Sequence, residues 1–452
     1  MTSARATAGG RIGPYDIIGT IGRGGMAEVL LARVAGADGF SREVVIKRVL
    51  PELAHEREFI DMFRDEARIT AQLRHGNIAQ VLDFRHDDGQ YYLLLEFVDG
   101  PSLVRVLEDA HTRGSRLPHA VTALVLSEVA RALDYAHRKR DEQGQPLGVI
   151  HRDISPSNVL VSRDGEVKLT DFGIARASSR IANTAAGSIK GKIAYMAPEA
   201  LLGEASPRSD LFSLGVMGFE MVTGQPPFAA PTNEARMFRV VTETAPHLAN
   251  VAPETPSALS DIIARLLAKN ADERPVRAAE VAEALSALVA SSPEPAQEIL
   301  AARAASIPRA NLGTGATEVP TRAGSRVAAR RRAAVIVDSS TTARALLRGA
   351  VSPTLETIEV DSMDAALAAL GDSPVALVIA QQVLPGGKNG FDLCRALRAS
   401  AAHARVTFVL AVFEVTPTIE QAAREAGVSV VLSKSDPRAL VRAVRELAED
   451  VA

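Results

Sequence analysis

Residues His151 to Asn158 read HRDISPSN, and thirteen positions beyond Asn158 the chain places Asp171 in LTDFGIA. Both stretches follow short apolar strands, so Asp153, Asn158 and Asp171 fall on loops. They supply a carboxylate to orient a hydroxyl, a neutral oxygen ligand and an anionic ligand, a set suited to magnesium-assisted transfer of a phosphoryl group. Such transfer rests on positioning and charge neutralisation. The chain should therefore also provide a cover and a cation for phosphates.

Both lie upstream. IGRGGMAEV, Ile21 to Val29, sets Gly22, Arg23 and Gly24 in a turn between strands, where missing side chains let backbone amides approach phosphate. Ala27 stands where such a loop would carry a further glycine. EVVIKRV puts Lys47 in a strand, and Glu66 follows 19 residues later in the helical stretch EFIDMFRDEARITAQLRH. Helical spacing places Glu66 on the face of Phe59, Met62, Phe63, Ile69 and Leu73. An unpaired carboxylate is costly to bury there. An ion pair with Lys47 resolves this and holds the lysine against a nucleotide.

In this order, and with AYMAPE at Ala194 to Glu199, residues 15–289 resemble a eukaryotic-type protein kinase domain, the kind found in bacteria as serine/threonine kinases. The resemblance implies an α+β bilobal fold, with an N-lobe at 15–98 and a C-lobe at 99–289. It implies ATP and Mg2+ as cofactors and proteins bearing serine or threonine as substrates. Asp153 would be the catalytic base, Asn158 and Asp171 the magnesium ligands, and Lys47, held by Glu66, the contact to the ATP phosphates. Gly22, Arg23, Gly24 and Val29 would cover the nucleotide. Glu96 and Val98 would offer backbone groups to adenine, with Leu95 as gatekeeper. Glu199 and Arg274 match a buried structural ion pair, Asp210 an anchor for the catalytic loop, and His151 a packing residue.

Two departures fall at positions that touch in this family. Ser155 occupies the place of a catalytic-loop lysine, and Lys192, in KGKIAYMAPE, that of its threonine partner. The expectation is that Lys192 returns the missing ammonium. The same swap weakens the markers of serine/threonine specificity, although Pro156 keeps them, and tyrosine specificity stays the minority reading. Arg152 is placed to bind a phosphorylated activation segment, in which Ser178, Ser179, Thr184 and Ser188 are candidate autophosphorylation sites. A pseudokinase scaffold is the alternative, supported by Ala27 and Ser155 alone.

Composition sets the bounds. The chain has 452 residues, 47% hydrophobic and 23% charged, enough for two domains and a connector with full cores. A net charge of −3 carries no general attraction for nucleic acid or anionic membrane. The basic run RVAARRR, Arg326 to Arg332, reads as a solvated connector end. A single cysteine, Cys394, excludes an internal disulfide and suits a reducing compartment. With no secretion signal and no apolar run long enough to span a bilayer, a cytoplasmic location is expected. Residues 1–14 read as a flexible N-terminus. From 290 to 332 the Ala, Ser, Pro, Arg and Gly content reads as a flexible linker.

From 333 to 452 apolar strands alternate five times with amphipathic helices, predicting an α/β doubly wound parallel sheet. VIVDSS, VLPGGKNG and VLSK give this stretch a resemblance to a response-regulator receiver domain of flavodoxin-like fold. The resemblance puts Gln381 where the phosphate-accepting aspartate belongs. Ser339 replaces the second acid beside Asp338, and Ala411 or Val412 the usual hydroxyl. An amide cannot form an acyl phosphate. The expectation is a pseudo-receiver, with an Asp338–Lys434 salt bridge, serving a signalling-protein partner or self-association. A two-component relay is disfavoured by Gln381.

Overall fold

The computed structural model describes residues 10–24, 27–50, 52–53, 56–87, 89–172, 193–230, 232–309, 332–370 and 375–451. A six-stranded sheet comes first. Its strands are β1 (Arg11–Ile12), β2 (Tyr15–Arg23), β3 (Ala27–Ala35), β4 (Ser41–Val49), β5 (Val81–Asp87) and β6 (Gln90–Glu96), in the order β1-β2-β3-β4-β6-β5. Every pairing is antiparallel. The two residues of β1 pair with Tyr15 and Asp16, so the expected flexible N-terminus joins the sheet from Arg11 onward.

Alternation along β4 decides where Lys47 points. Val44 and Ile46 bury on one face with Tyr15, Ile17 and Leu30. Val49 buries on the other, against Phe63 and Ala67 of the helix Arg57–Thr70. Lys47 shares the face of Val49 because strand side chains repeat every two residues. Glu66, three positions after Phe63, comes to the same side of the helix.

The second lobe is helical. Its centre is the pair His119–His137 and Pro207–Thr223, packed against each other and flanked by Ser257–Leu266 and Ala278–Ser291. The pair packs closely at a glycine: a Cβ on Gly218 would lie 2.8 Å from Leu126 Cδ1. A small antiparallel ladder, β7 (Val159–Val161) with β8 (Val167–Leu169), sits on this lobe and carries Asn158 and Asp171 at its ends.

The segment read as linker from 290 is corrected in part. The preceding helix runs to Ser291, and Ala296–Ser306 forms another, with Ala296, Leu300, Ala304 and Ile307 buried. Small residues at four-residue spacing allow close packing without large apolar side chains, which is why composition alone read as connector. Residues 310–331 lie outside the described residues.

The C-terminal part is a parallel five-stranded sheet: β9 (Ala333–Val337), β10 (Glu356–Val360), β11 (Val375–Gln381), β12 (Thr407–Val412) and β13 (Val430–Ser433), in the order β10-β9-β11-β12-β13. Strands β9 and β12 are almost wholly buried, as expected where helices cover both faces. Two of its helices, Thr341–Val351 and Pro437–Val451, rest on the helix Asn233–Thr242 of the second lobe. There Arg438 donates to Thr242 O at 2.5 Å, and the Arg445 guanidinium lies 4.6 Å from the Phe238 ring centre.

Candidate active site

The cleft between the first two lobes gathers the residues singled out above. Lys47 Nζ lies 2.7 Å from Glu66 Oε1 and 2.9 Å from Asp171 Oδ1. Burial alone would push the lysine pKa down, but the Asp171 and Glu66 carboxylates outweigh it and hold the pKa well above the usual lysine value. Lys47 is therefore a fixed cation. Gly22 is in register with Val29, Val29 with Lys47, and Lys47 with Leu93, so the glycine, the valine and the cation line up across adjacent strands.

The glycine stretch differs from its reading in one respect. Gly22 and Arg23 end strand β2, and the turn begins at Gly24, whose N–H donates to Ala27 O at 2.8 Å. Arg23 points to Glu52 on the surface, at 3.2 Å.

Asp210, in the first turn of Pro207–Thr223, shapes the loop that carries Asp153. Its carboxylate accepts the backbone N–H groups of His151 and Arg152, each at 2.8 Å, and lies 2.8 Å from His137 Nε2. Within that loop Arg152 takes φ +64°, and Asp171 takes φ +58°. Left-handed backbone at two non-glycine residues, one on each side of the site, is strain of the kind stored at functional positions. His151 is fully buried and its ring centre is 4.5 Å from that of Phe172; burial pushes its pKa down, so it stays neutral and packs.

Asn158 Nδ2 donates to the Asp153 carboxylate at 2.9 Å and to its carbonyl at 2.7 Å. The amide nitrogen is committed to Asp153, so Oδ1 is the atom suited to a hard cation. Thr170 N–H donates to Asn158 O at 2.9 Å, which ties the approach to Asp171 to the same spot. A neutral amide oxygen and a carboxylate on tied neighbouring loops fit magnesium, which prefers oxygen ligands and few protein donors. Leu95 lines the hollow behind Lys47 together with Glu66, Thr70 and Phe172. Val98 is buried, and the Glu96 carboxylate accepts from Gln80 N–H at 2.8 Å and from Lys168 at 3.0 Å.

Ser155 is buried with its Oγ 2.9 Å from Ser157 Oγ. Lys192 lies outside the described residues, as do Ser178, Ser179, Thr184 and Ser188. The Glu199–Arg274 pair is formed, at 2.7 Å. Lys168 and His137 escaped the sequence reading: neither belongs to a recognisable motif, and only the fold brings them to Glu96 and Asp210.

In the C-terminal sheet, Lys434 Nζ donates to Asp338 Oδ2 at 2.7 Å, and both side chains are buried. Gln381 ends β11, and its Nε2 donates to Ser339 Oγ at 3.0 Å, so two of the unusual positions touch.

Comparison with known proteins agrees with this geometry. The family model described as protein kinase domain matches residues 15–286, and the chain belongs to that family. It is 41% identical over 274 residues to the tyrosine-protein kinase MasK of Myxococcus xanthus, covering 60% of this chain and 42% of that protein. It is 35% identical over 285 residues to the probable serine/threonine-protein kinase pknA2 of Bifidobacterium longum, covering 62% and 36%. It is 36% identical over 329 residues to the serine/threonine-protein kinase PknA of Mycobacterium tuberculosis, covering 71% and 72%. The chain thus spans about two fifths of the length of the first two relatives.

Proposed function

We propose that this protein transfers the γ-phosphoryl group of ATP to serine or threonine hydroxyls of protein substrates, itself included. The observation that carries the proposal is the Lys47 ammonium fixed between Glu66 and Asp171, across from an Asp153 carboxylate steadied by Asn158. Lys47 offers its charge to the phosphates, and Asp153 orients the attacking hydroxyl and takes its proton as the bond to phosphorus forms and ADP departs. Asn158 and Asp171 would hold magnesium, which when bound supplies positive charge beside the phosphates.

Arg152 Nε is buried without a partner among the described residues, which supports its reading as a receptor for phosphate on the activation segment. Tyrosine acceptors form a second reading, favoured by Ser155 and by the similarity to MasK, which is named a tyrosine-protein kinase. Incubation of the purified chain with radiolabelled ATP, followed by phosphoamino acid analysis, tests both readings, with Asp153→Asn as control. Phosphoserine or phosphothreonine lost in the control supports the proposal; phosphotyrosine supports the second reading. No label above the control overturns both and leaves a scaffold.

We further propose that the C-terminal sheet is a receiver-like domain that has lost phosphorylation and acts on its own kinase lobe. Its strand order supports a flavodoxin-like reading. Its contact with Asn233–Thr242 supports an intramolecular role, as does Glu204, which lies within electrostatic reach of Lys434 and Asp338. Acetyl phosphate should leave no acid-stable, base-labile adduct on this domain, and such an adduct would refute the loss. We likewise propose a cytoplasmic location, supported by the buried free Cys394.

A further inference from the structure

The family match ends at residue 286, yet the chain stays on the kinase lobe to Arg309, which reaches the hinge between the lobes. The helix Ala296–Ser306 is seated closely. Gly165, at φ +80° in the β7–β8 turn, leaves room for it: a Cβ there would lie 2.6 Å from Gln297 O. Arg303 pairs with Asp109 at 3.2 Å, and Arg163 Nη1 donates to Ala305 O at 2.9 Å near the C-terminal end of the helix.

Just beyond, Arg309 grips Asp99, which follows the hinge residues Glu96 to Val98. Its Nε donates to Asp99 Oδ1 at 3.0 Å and its Nη2 to Oδ2 at 2.7 Å. Nη1 lies 3.6 Å from Glu43 Oε2 on β4, the strand of Lys47, and the guanidinium is 5.6 Å from the ring centre of hinge residue Phe97. Arg163 Nε reaches the same Asp99 oxygen at 3.2 Å. The hydrogen bond from Arg309 holds the Asp99 carboxyl below its usual pKa, so it is a standing anion.

We propose that Arg309 is a positioning residue for the nucleotide cleft, fixing the hinge and β4 relative to each other from a segment outside the kinase domain. An exposed ion pair alone contributes little. Here one planar fork joins three parts of the chain: the strand of the catalytic lysine, the hinge, and the segment leading toward the C-terminal sheet. A bidentate guanidinium fixes geometry as lysine cannot. The adenine-side backbone of the cleft is thereby held by a residue beyond the last turn of the kinase-domain helices.

This inference rests on the cleft binding nucleotide, as the proposed function requires. The test uses the full chain and measures MgADP affinity by calorimetry, with KM for ATP and kcat measured separately. Arg309→Ala, whose side chain is more than half exposed and should leave the fold intact, is expected to weaken MgADP and raise KM for ATP about threefold to tenfold, with kcat within twofold. Arg309→Lys should recover less than half of the loss. Asp99→Asn should mimic Arg309→Ala, and the double variant should be no worse than either single one. MgADP affinity and KM within 1.5-fold of the parent for Arg309→Ala would overturn the inference, as would additive effects in the double variant. If the parent binds MgADP but transfers no phosphate, the proposed function fails while the affinity comparison still decides on Arg309. A parent that binds no MgADP refutes both.

Discussion

Replacing Glu199 by glutamine exchanges one carboxylate oxygen for an amino group, and the surroundings of Arg274 make that exchange severe. The Arg274 side chain is fully buried and all five of its N–H donors are engaged: Nε with Ala268 O, Nη1 with Glu199 Oε1 and Arg208 O, Nη2 with Glu199 Oε2 and Lys269 O. The guanidinium also lies 4.9 Å from the ring centre of Phe212. Glutamine can keep one accepting contact, but the buried charge loses its counter-ion, a loss that costs about 3–5 kcal/mol when one partner of a buried pair is removed. At roughly 2–3 °C per kcal/mol for a unit of this size, the kinase transition should fall by about 6–15 °C. Arg274→Met should be comparably harmful for a different reason. It orphans three backbone carbonyls and leaves the Glu199 carboxylate, among the described residues, with Ser209 Oγ at 2.7 Å as its remaining side-chain partner. Glu199→Gln combined with Arg274→Met removes both charges, so its cost should fall short of the sum of the two singles by at least about 1 kcal/mol. Scanning calorimetry of the four proteins measures all of this. A Glu199→Gln transition within 2 °C of the parent, or additive losses in the double variant, would refute the assignment of this pair as a buried structural ion pair.

Glu66→Gln should leave Lys47 with one charged partner and lower kcat/KM for ATP about 10- to 100-fold, the scale of one charge-assisted hydrogen bond, as read from initial rates. Lys192→Ala should slow turnover by about 10² to 10³ if that lysine returns the charge missing at Ser155, and unchanged phosphotransfer would dismiss it. Burial, aided by the charges of Arg438 and Arg274, pushes Lys269 down to about 7. The unfolded chain then holds this proton between pH 7 and about 10.5 while the folded one releases it, so stability rises with pH through that window. Urea midpoints at pH 6 and pH 9 should show the parent gaining about 2–3 kcal/mol relative to Lys269→Met, and a constant difference would exclude the titration.

The chemistry of the cleft was legible because each functional group sits in a short stretch whose residue types have few other uses. HRDISPSN and LTDFGIA declare carboxylates on loops, and the 19 residues from Lys47 to Glu66 make sense only as a strand cation meeting a helix anion. The two-residue period of β4 and the helical spacing of Phe63, Glu66 and Thr70 then fix the sides on which they meet. Alternating strands and helices likewise announced the C-terminal parallel sheet, and Asp338 with Lys434 the buried ion pair at the C-terminal ends of its strands. The glycine stretch was placed less well, since sequence could not say that Gly22 and Arg23 would remain in β2 and leave the turn to Gly24.

What sequence did not disclose is held by contacts between distant segments. Lys168 reaches Glu96 across 72 positions and Arg309 reaches Asp99 across 210, and neither arginine nor lysine looks unusual where it stands. The helix Ala296–Ser306 shows the same limit from the side of packing. Its stripe of Ala296, Leu300 and Ala304 is too weakly apolar to announce a buried face, and becomes one because Gly165 and the lobe beneath it allow close approach. Local chemistry thus marks the residues suited to moving a phosphoryl group, whereas the angle at which the lobes present them depends on long-range pairs that only the folded chain reveals. That division is why variants at Asp153 or Lys47 should abolish transfer outright, while variants at Arg309 should alter how tightly the nucleotide is held.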